Sequence, residues 1–449
     1  MGAFHAYDIR GIYNKAFNKE DVYKIGYFLP ELLNTKKILI GRDVRKSSPE
    51  IFSELCRGII DAGADAHNAG LTTTPMIYWA TGNYEFDGSV MITASHNPKE
   101  YNGLKVSGKN VIPIGYDNGL KQLETYIKER EVKPAGKKGE INKIEISGDY
   151  LKFLDKYKTD FSNLKICIDC SNGMASILVK EVLGKDHIYI YDDADGSFPN
   201  HEPNPLEQKN VKDLKELVIK HSADIGIIFD GDADRVMFVD DKGEFIPPDL
   251  MIALMGHYFL EEKGERGYVI QDIRSSRSVS EYVEPMGGKV YTWRVGRAYA
   301  ANKLREINGV YGGELAGHYY FRDFFYSDSA FLACLIILNV LSKMKSQGYS
   351  TSDVINRIKK WENSGEINYK IEQKDEIIKE ITEHYFSQNP IKVLDFDGYR
   401  IEFQDWWFNI RKSNTEPYLR LLIEAKNKEI LKEKTEEIRA LICTPLAKS

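Results

Sequence analysis

Three times along the chain a short apolar run ends at an aspartate: Ile38-Leu39-Ile40-Gly41-Arg42-Asp43, Ile166-Cys167-Ile168-Asp169-Cys170-Ser171-Asn172-Gly173 and Tyr268-Val269-Ile270-Gln271-Asp272. After each, at a distance that accommodates a strand and crossover helix of about 30 residues or more, a second strand-like run ends in a polar loop. Such self-similarity constrains the fold more than any single residue, because each copy has to bury a short sheet under helices. Helical stretches at Ser48 to Ala62, Val211 to His221, Asp249 to Lys263 and Arg297 to Ile307 alternate with these runs. The pattern predicts three α/β domains with mixed or parallel sheets. After Lys345 charged residues become dense. The strand pair Trp406 to Arg411 and Tyr418 to Ala425 flanks a short polar loop before a charged helix, Lys428 to Leu441, which predicts a separate α+β domain. The expected domain limits are 1–146, 147–247, 248–362 and 363–449. Lys128 to Lys143, with Pro134, Gly136 and Gly139, is read as the first linker.

At 449 residues the chain exceeds the size at which one core stops growing, which agrees with several domains. A hydrophobic content of 42% with 29% charge predicts a soluble, fully folded protein. A formal net charge of -6 argues against general attraction to nucleic acid or an acidic membrane and leaves room for a local basic pocket that binds small anions. The longest apolar stretch, Ala330 to Leu341, is too short to span a bilayer and reads as a buried helix. The start, Met1-Gly2-Ala3-Phe4-His5-Ala6, lacks a secretion signal, so a cytoplasmic location is expected. Five cysteines argue against a disulfide framework. Cys167 and Cys170 have C-x-x-C spacing, but no second pair completes a zinc site, and they read as buried thiols.

Four loops carry chemistry. Thr93-Ala94-Ser95-His96-Asn97-Pro98 follows the run Val90-Met91-Ile92 and exposes a serine hydroxyl at a strand end; the adjacent His96 alone establishes no triad, since triad partners meet in space. Asp230-Gly231-Asp232-Ala233-Asp234-Arg235 follows the buried run Ile225 to Phe229. Three carboxylates at alternate positions repel unless a cation sits among them, and hard oxygen ligands select magnesium or calcium. An EF-hand is excluded, because Arg235 stands where its glycine is needed and Asp241 where its glutamate is expected. Gly312-Gly313-Glu314-Leu315-Ala316-Gly317-His318 offers close backbone approach, a carboxylate for sugar hydroxyls and a candidate acid or base in His318. Arg411-Lys412-Ser413-Asn414-Thr415-Glu416-Pro417, with Arg420 beyond it, clusters guanidinium, hydroxyl and amide donors suited to a phosphate.

In this order and at these separations the four loops resemble the phosphohexomutase family of phosphomannomutases, phosphoglucomutases and phosphoglucosamine mutases. The resemblance runs from Tyr7-Asp8-Ile9-Arg10-Gly11 to Arg420 and includes Pro199-Asn200-His201 and Pro203-Asn204-Pro205. It implies four domains around a central cleft, each contributing one loop. It further implies that Ser95 carries a phosphoryl group, that Asp230, Asp232 and Asp234 hold one magnesium ion together with a phosphoserine oxygen, and that Arg10, His96, Lys105 and His318 lie near the reacting groups. Arg235, Arg297, Glu314, Ala316, Arg411, Ser413, Asn414, Thr415 and Arg420 then bind substrate. The implied reaction moves a phosphoryl group between the 1- and 6-positions of a hexose through a 1,6-bisphosphate that also serves as activator. His318 or Lys105 takes the sugar's proton, and the sequence does not choose between them. Small sugar phosphates are the expected partners, with no nucleic acid or membrane, for a monomer or homodimer.

Three departures bear on substrate. Ala316 stands where many members have serine, a lost contact of about 0.5–1.5 kcal/mol if nothing replaces it. The segment Arg294-Val295-Gly296-Arg297 has arginine where several relatives carry histidine, which predicts either tighter phosphate contact or a different cleft lining. Leu315 differs from the glutamine typical of phosphoglucosamine mutases, and with Tyr319 to Asp323 it points toward mannose and glucose phosphates. The competing readings are a phosphoglucosamine mutase, a magnesium-dependent sugar phosphatase and a non-catalytic sugar-phosphate-binding protein descended from a mutase, against which the intact loops argue.

Overall fold

The computed structural model describes residues 2–413 and 417–443. Among these residues lie four sheets of six, five, five and five strands. The first three share one strand order. In the first, Lys37–Arg42 lies between Asp65–Leu71 and Gly88–Ile92, parallel to both; Tyr101–Gly108 runs antiparallel beside Gly88–Ile92, and Ile9–Ile12 closes that side. In the second, Ile166–Asp169 lies between the parallel strands Ile188–Ile190 and Ile225–Phe229, followed by antiparallel Val236–Asp240 and Phe245–Ile246. In the third, Gly267–Asp272 lies between Gly288–Trp293 and Tyr311–Gly313, followed by antiparallel Tyr319–Phe321 and Ser327–Asp328. Gly88–Ile92 and Ile225–Phe229 are buried at every position, as strands covered on both faces should be.

This common order gives the three polar loops one structural address. Each is the turn from the last parallel strand into its antiparallel neighbour: residues 93–100, 230–235 and 314–318. The fourth sheet is antiparallel throughout. Its loop joins the central hairpin Trp406–Lys412 and Leu419–Ala425, which shares a core with the helices Lys374–Phe386 and Lys428–Cys443.

The repeated aspartates share a job as well. Asp43, Asp169 and Asp272 each accept the backbone N–H two residues on, from Arg45, Ser171 and Arg274 respectively. Each therefore fixes the turn that leaves its strand. The helix Ala330–Ser346 is buried along most of its length, which accounts for the longest apolar stretch. No single helix among the described residues is long and apolar enough to cross a membrane. Cys167 and Cys170 are buried free thiols.

The expected linker at Lys128 to Lys143 carries no helix or strand at 130–140 and ends in a short strand. Ile141–Lys143 adds an edge strand to the first sheet beside Asp65–Leu71, and Ala135 and Gly139 donate their N–H groups to Asp61 and Ile60. A three-residue edge strand with exposed side chains reads as a charged linker because its pairing is entirely through the backbone.

Candidate active site

Ser95 has a positive φ of 51° and is buried to 1% exposure. Its backbone is held from beneath by Arg45, a fully buried guanidinium that donates to the carbonyls of Ser95, Asn97, Pro98 and Tyr101 at 2.8, 2.6, 2.6 and 3.1 Å while pairing with Asp43. The first repeated aspartate thus supports the serine loop through Arg45. The Ser95 hydroxyl donates to Asp230 Oδ2 at 2.8 Å, and His96 Nδ1 lies 3.4 Å from it. Burial, then the positive charges of Arg235, Arg10 and Lys105, push the His96 imidazole well below its ordinary value, so it stays neutral. Arg10 pairs with Asp8 and donates to Asn97 Oδ1 at 2.8 Å.

Asp230, Asp232 and Asp234 are fully buried, and one oxygen from each lies within 4.8 Å of the others. Lys105 Nζ bonds Asp232 Oδ2 and Asp234 Oδ2 at 2.6 and 2.5 Å. Burial alone would lower the Lys105 ammonium, but these two carboxylates hold it above its usual value, so it stays charged. Burial and the neighbouring Asp234 and Asp232 push the Asp230 carboxyl well up. Asp232 Oδ1 and Asp234 Oδ1 are buried without a hydrogen-bond partner. Orphaned carboxylate oxygens in a compressed cluster are the donor set of a hard divalent cation, so this site fits a metal. Close approach is required here: a Cβ on Gly231 would meet the Ser95 carbonyl oxygen at 2.5 Å.

The metal-type loop and the third loop are joined directly. Arg235 pairs with His318 as an isolated backbone bridge, Val236 N–H donates to Gly317 O at 3.2 Å, and Arg235 Nε donates to His318 Nε2 at 3.0 Å. With Nε2 accepting, Nδ1 carries the proton and donates to Asp328 Oδ2 at 2.6 Å. Burial opposes the charged form of Asp328, yet Arg297 and His318 hold it well below the ordinary carboxylate range. Glu314 Oε1 accepts from Tyr320 Oη at 2.9 Å and Gly296 N at 3.3 Å, and burial raises its carboxyl. Arg297 bonds Asp328 Oδ1 at 2.9 Å and stacks on Tyr78 of the first domain with 3.9 Å between guanidinium and ring centroid.

In the fourth domain Arg411 and Arg420 both reach Glu366, at 3.3 and 2.6 Å, and Arg274 of the third domain reaches the same carboxylate at 3.4 Å. Asn414 and Thr415 lie outside the described residues. One cleft of about 1480 Å³ opens onto Arg10, Lys105, Ala316, Ser413 and the other expected groups from Ser95 through Arg420. Asp230 and Asp232 stand behind its surface. Sequence reasoning missed Arg45, Thr74, Asp328, Arg274 and Glu366. Thr74 donates through its hydroxyl to Asp232 Oδ2 at 2.5 Å and through its N–H to the Asp232 carbonyl. The one available signal was the repeated aspartate, which marks the strand ends where Arg45 and Arg274 sit two residues on.

Four models of the phosphoglucomutase/phosphomannomutase family match consecutively: the alpha/beta/alpha domains I, II and III at residues 1–133, 148–243 and 247–360, and the C-terminal domain at 366–441. A phosphomannomutase of Methanocaldococcus jannaschii is 36% identical over 98% of this chain and 97% of its own length. A phosphomannomutase of Escherichia coli K12 is 35% identical over 95% of each. The crystal structure of a phosphoglucomutase/phosphomannomutase family protein from Burkholderia thailandensis superposes with a TM-score of 0.87 at 26% identity, covering all of this chain and 98% of that one. With four domains in family order and relatives 35–36% identical over at least 95% of its length, the chain belongs to the phosphoglucomutase/phosphomannomutase family.

Proposed function

We propose that this enzyme, a hexose-phosphate mutase by family, interconverts the 1- and 6-phosphates of mannose, glucose or both through a phosphoserine at Ser95 and a hexose 1,6-bisphosphate. The observation that carries the reading is the 2.8 Å bond from the Ser95 hydroxyl to Asp230, inside a carboxylate cluster with two orphaned oxygens, in the same cleft as Arg411 and Arg420. Asp230, Asp232, Asp234 and the Ser95 phosphoryl oxygen would hold one magnesium ion. When bound, the ion offsets charge on the oxygens of the transferring phosphoryl group. Lys105 and Arg10, which stay charged, add to that compensation from the protein side.

In the forward half-reaction a free sugar hydroxyl attacks the phosphorus on Ser95. The new O–P bond forms as the Ser95 Oγ–P bond breaks, and the serine oxygen departs with the bonding pair, its charge compensated by Lys105 and Arg10. His318 serves as the acceptor of the sugar's proton, since Lys105 is locked as a donor to two carboxylates; its Nε2 becomes available when Arg235 turns away. The bisphosphate then turns end over end, the serine oxygen attacks the other phosphorus as the sugar O–P bond breaks, and His318 returns its proton to the departing sugar oxygen, so one distal anion site at Arg411, Ser413, Asn414, Thr415 and Arg420 serves both orientations. Glu314, with Ala316 beside it, faces the sugar hydroxyls. The same reading takes the limits 1–146, 147–247, 248–362 and 363–449 as the four domains, and a cytoplasmic monomer or homodimer as the working form.

Phosphorus NMR of mannose 1-phosphate, glucose 1-phosphate and glucosamine 1-phosphate, each with a trace of the bisphosphate, tests the assignment. Conversion of the mannose or glucose ester to its 6-phosphate is expected, with at least about a thousandfold loss of kcat in Ser95→Ala. Exclusive turnover of the glucosamine ester, or release of free phosphate that survives Ser95→Ala, contradicts it.

A further inference from the structure

We infer that Asp272, Arg274 and Glu366 are positioning residues that couple the sugar-facing loop of the third domain to the phosphate-facing hairpin of the fourth. The inference rests on the assignment of those two loops given above.

The connection is continuous and mostly buried. Leu315, next to Glu314, donates its N–H to Asp272 Oδ2 at 2.8 Å. Asp272 takes Arg274 in a two-point fork, Nη2 to Oδ2 at 2.8 Å and Nε to Oδ1 at 3.1 Å. Arg274 Nη1 reaches Glu366 Oε2 at 3.4 Å, which crosses from the third domain to the fourth. Glu366 Oε2 also accepts from Arg411 Nη2 at 3.3 Å, and its Oε1 from Arg420 Nη1 at 2.6 Å. Asp272 and Arg274 have 1% and 7% of their side chains exposed, and Glu366 has 21%. Charge-assisted bonds with so little solvent access keep most of their strength and their geometry.

The charge balance explains why the middle of the chain is a carboxylate. Three guanidiniums gathered from two domains repel one another, and Glu366 is the group that lets Arg274 stand beside Arg411 and Arg420. Burial would raise its carboxyl, but the three arginines hold it below the ordinary range, so it remains an acceptor throughout. A phosphate arriving at the hairpin draws on the same donors. Each donor that turns toward phosphate changes the grip of Glu366 on Arg274, and through Asp272 the anchor of the Leu315 N–H. Two sites joined by such a network respond to each other's ligands reciprocally.

Hydrogen exchange read by mass spectrometry on the full-length protein, with inorganic phosphate as probe, tests the coupling without requiring turnover. In the wild type, saturating phosphate should slow exchange in peptides covering 314–318 as well as in peptides covering the fourth-domain hairpin. Glu366→Gln should lose at least about half of the effect at 314–318 while still binding phosphate by calorimetry, and Glu366→Asp should restore part of it. Arg274→Lys, which keeps the charge and loses the fork, should behave like Glu366→Gln. In steady state Glu366→Gln should raise KM for the hexose 1-phosphate about tenfold and change kcat less than about threefold. Full protection of 314–318 in Glu366→Gln, or none in the wild type, overturns the coupling. A wild-type enzyme that shows the coupling but no mutase turnover overturns the proposed function alone.

Discussion

Asp232 and Asp234 each use one carboxylate oxygen to hold Lys105 and leave the other buried without a hydrogen bond. An unsatisfied buried acceptor costs on the order of 1–3 kcal/mol, so this loop is shaped for a ligand and its stability alone does not account for it. A divalent cation bound there would satisfy both oxygens and relieve the crowding that pushes Asp230 upward. Asp234→Asn should therefore weaken magnesium binding at least about tenfold by calorimetry, and an unchanged affinity would remove the loop from the metal site. Two long-range contacts belong here: Arg297 bonds Asp328 and stacks on Tyr78, and Lys105 donates to Asp232 and Asp234. Neither is visible in sequence, because Asp328 is 31 residues from Arg297 and Asp232 is 127 from Lys105.

The repeated strand and aspartate are the element-scale device behind the site. Asp43 supports the serine loop through Arg45, and Asp272 supports the sugar-facing loop through the Leu315 N–H. Asp169 does the corresponding work in the second domain. It accepts from His201 Nε2 at 3.0 Å, while His201 Nδ1 faces the Glu202 carbonyl at 2.8 Å. Both ring nitrogens face acceptors, so both carry protons. This fastens the segment 199–205 behind the aspartate loop, where Pro203 lies 3.3 Å from the position a Cβ on Gly231 would take. Burial alone would lower the His201 imidazole, but Asp169 holds it above its ordinary value, and burial raises Asp169 in turn. Asp213 and the Tyr191 ring are the other groups facing it. The folded state binds these protons more tightly than the unfolded chain, so stability falls as pH rises. The His201 contribution is complete below about pH 6.5, the value of a free histidine, and is lost as the pH passes the raised value. His201→Gln should flatten the fall in denaturant midpoint between pH 6 and 9, and an unchanged slope would contradict the pairing. The repeat and its loops were legible because strand, aspartate and turn are contiguous. The edge strand Ile141–Lys143 was not, since its pairing leaves no side-chain pattern.

At the scale of the whole molecule the cleft depends on contacts between domains that no local pattern encodes. Arg277 of the third domain bonds Glu402, Phe403 O and Gln404 O, and Arg400 of the fourth bonds Ile273 O and Ser275 O. Val295 donates its N–H to Asp397 of the fourth domain at 2.7 Å and accepts at its carbonyl from Tyr7 of the first at 3.1 Å. One short segment thus touches both walls of the opening. Glu366 escaped sequence reasoning for the same reason: its strand looks like ordinary charged surface until three arginines from two domains arrive around it. The most direct test is peptide-level mass spectrometry of the protein after incubation with magnesium and glucose 1,6-bisphosphate. A single phosphate on Ser95 that disappears on addition of excess mannose 1-phosphate or glucose 1-phosphate is the predicted result. Phosphate on an aspartate of the 230–234 loop, or continued turnover with Ser95 unmodified throughout, would contradict the account.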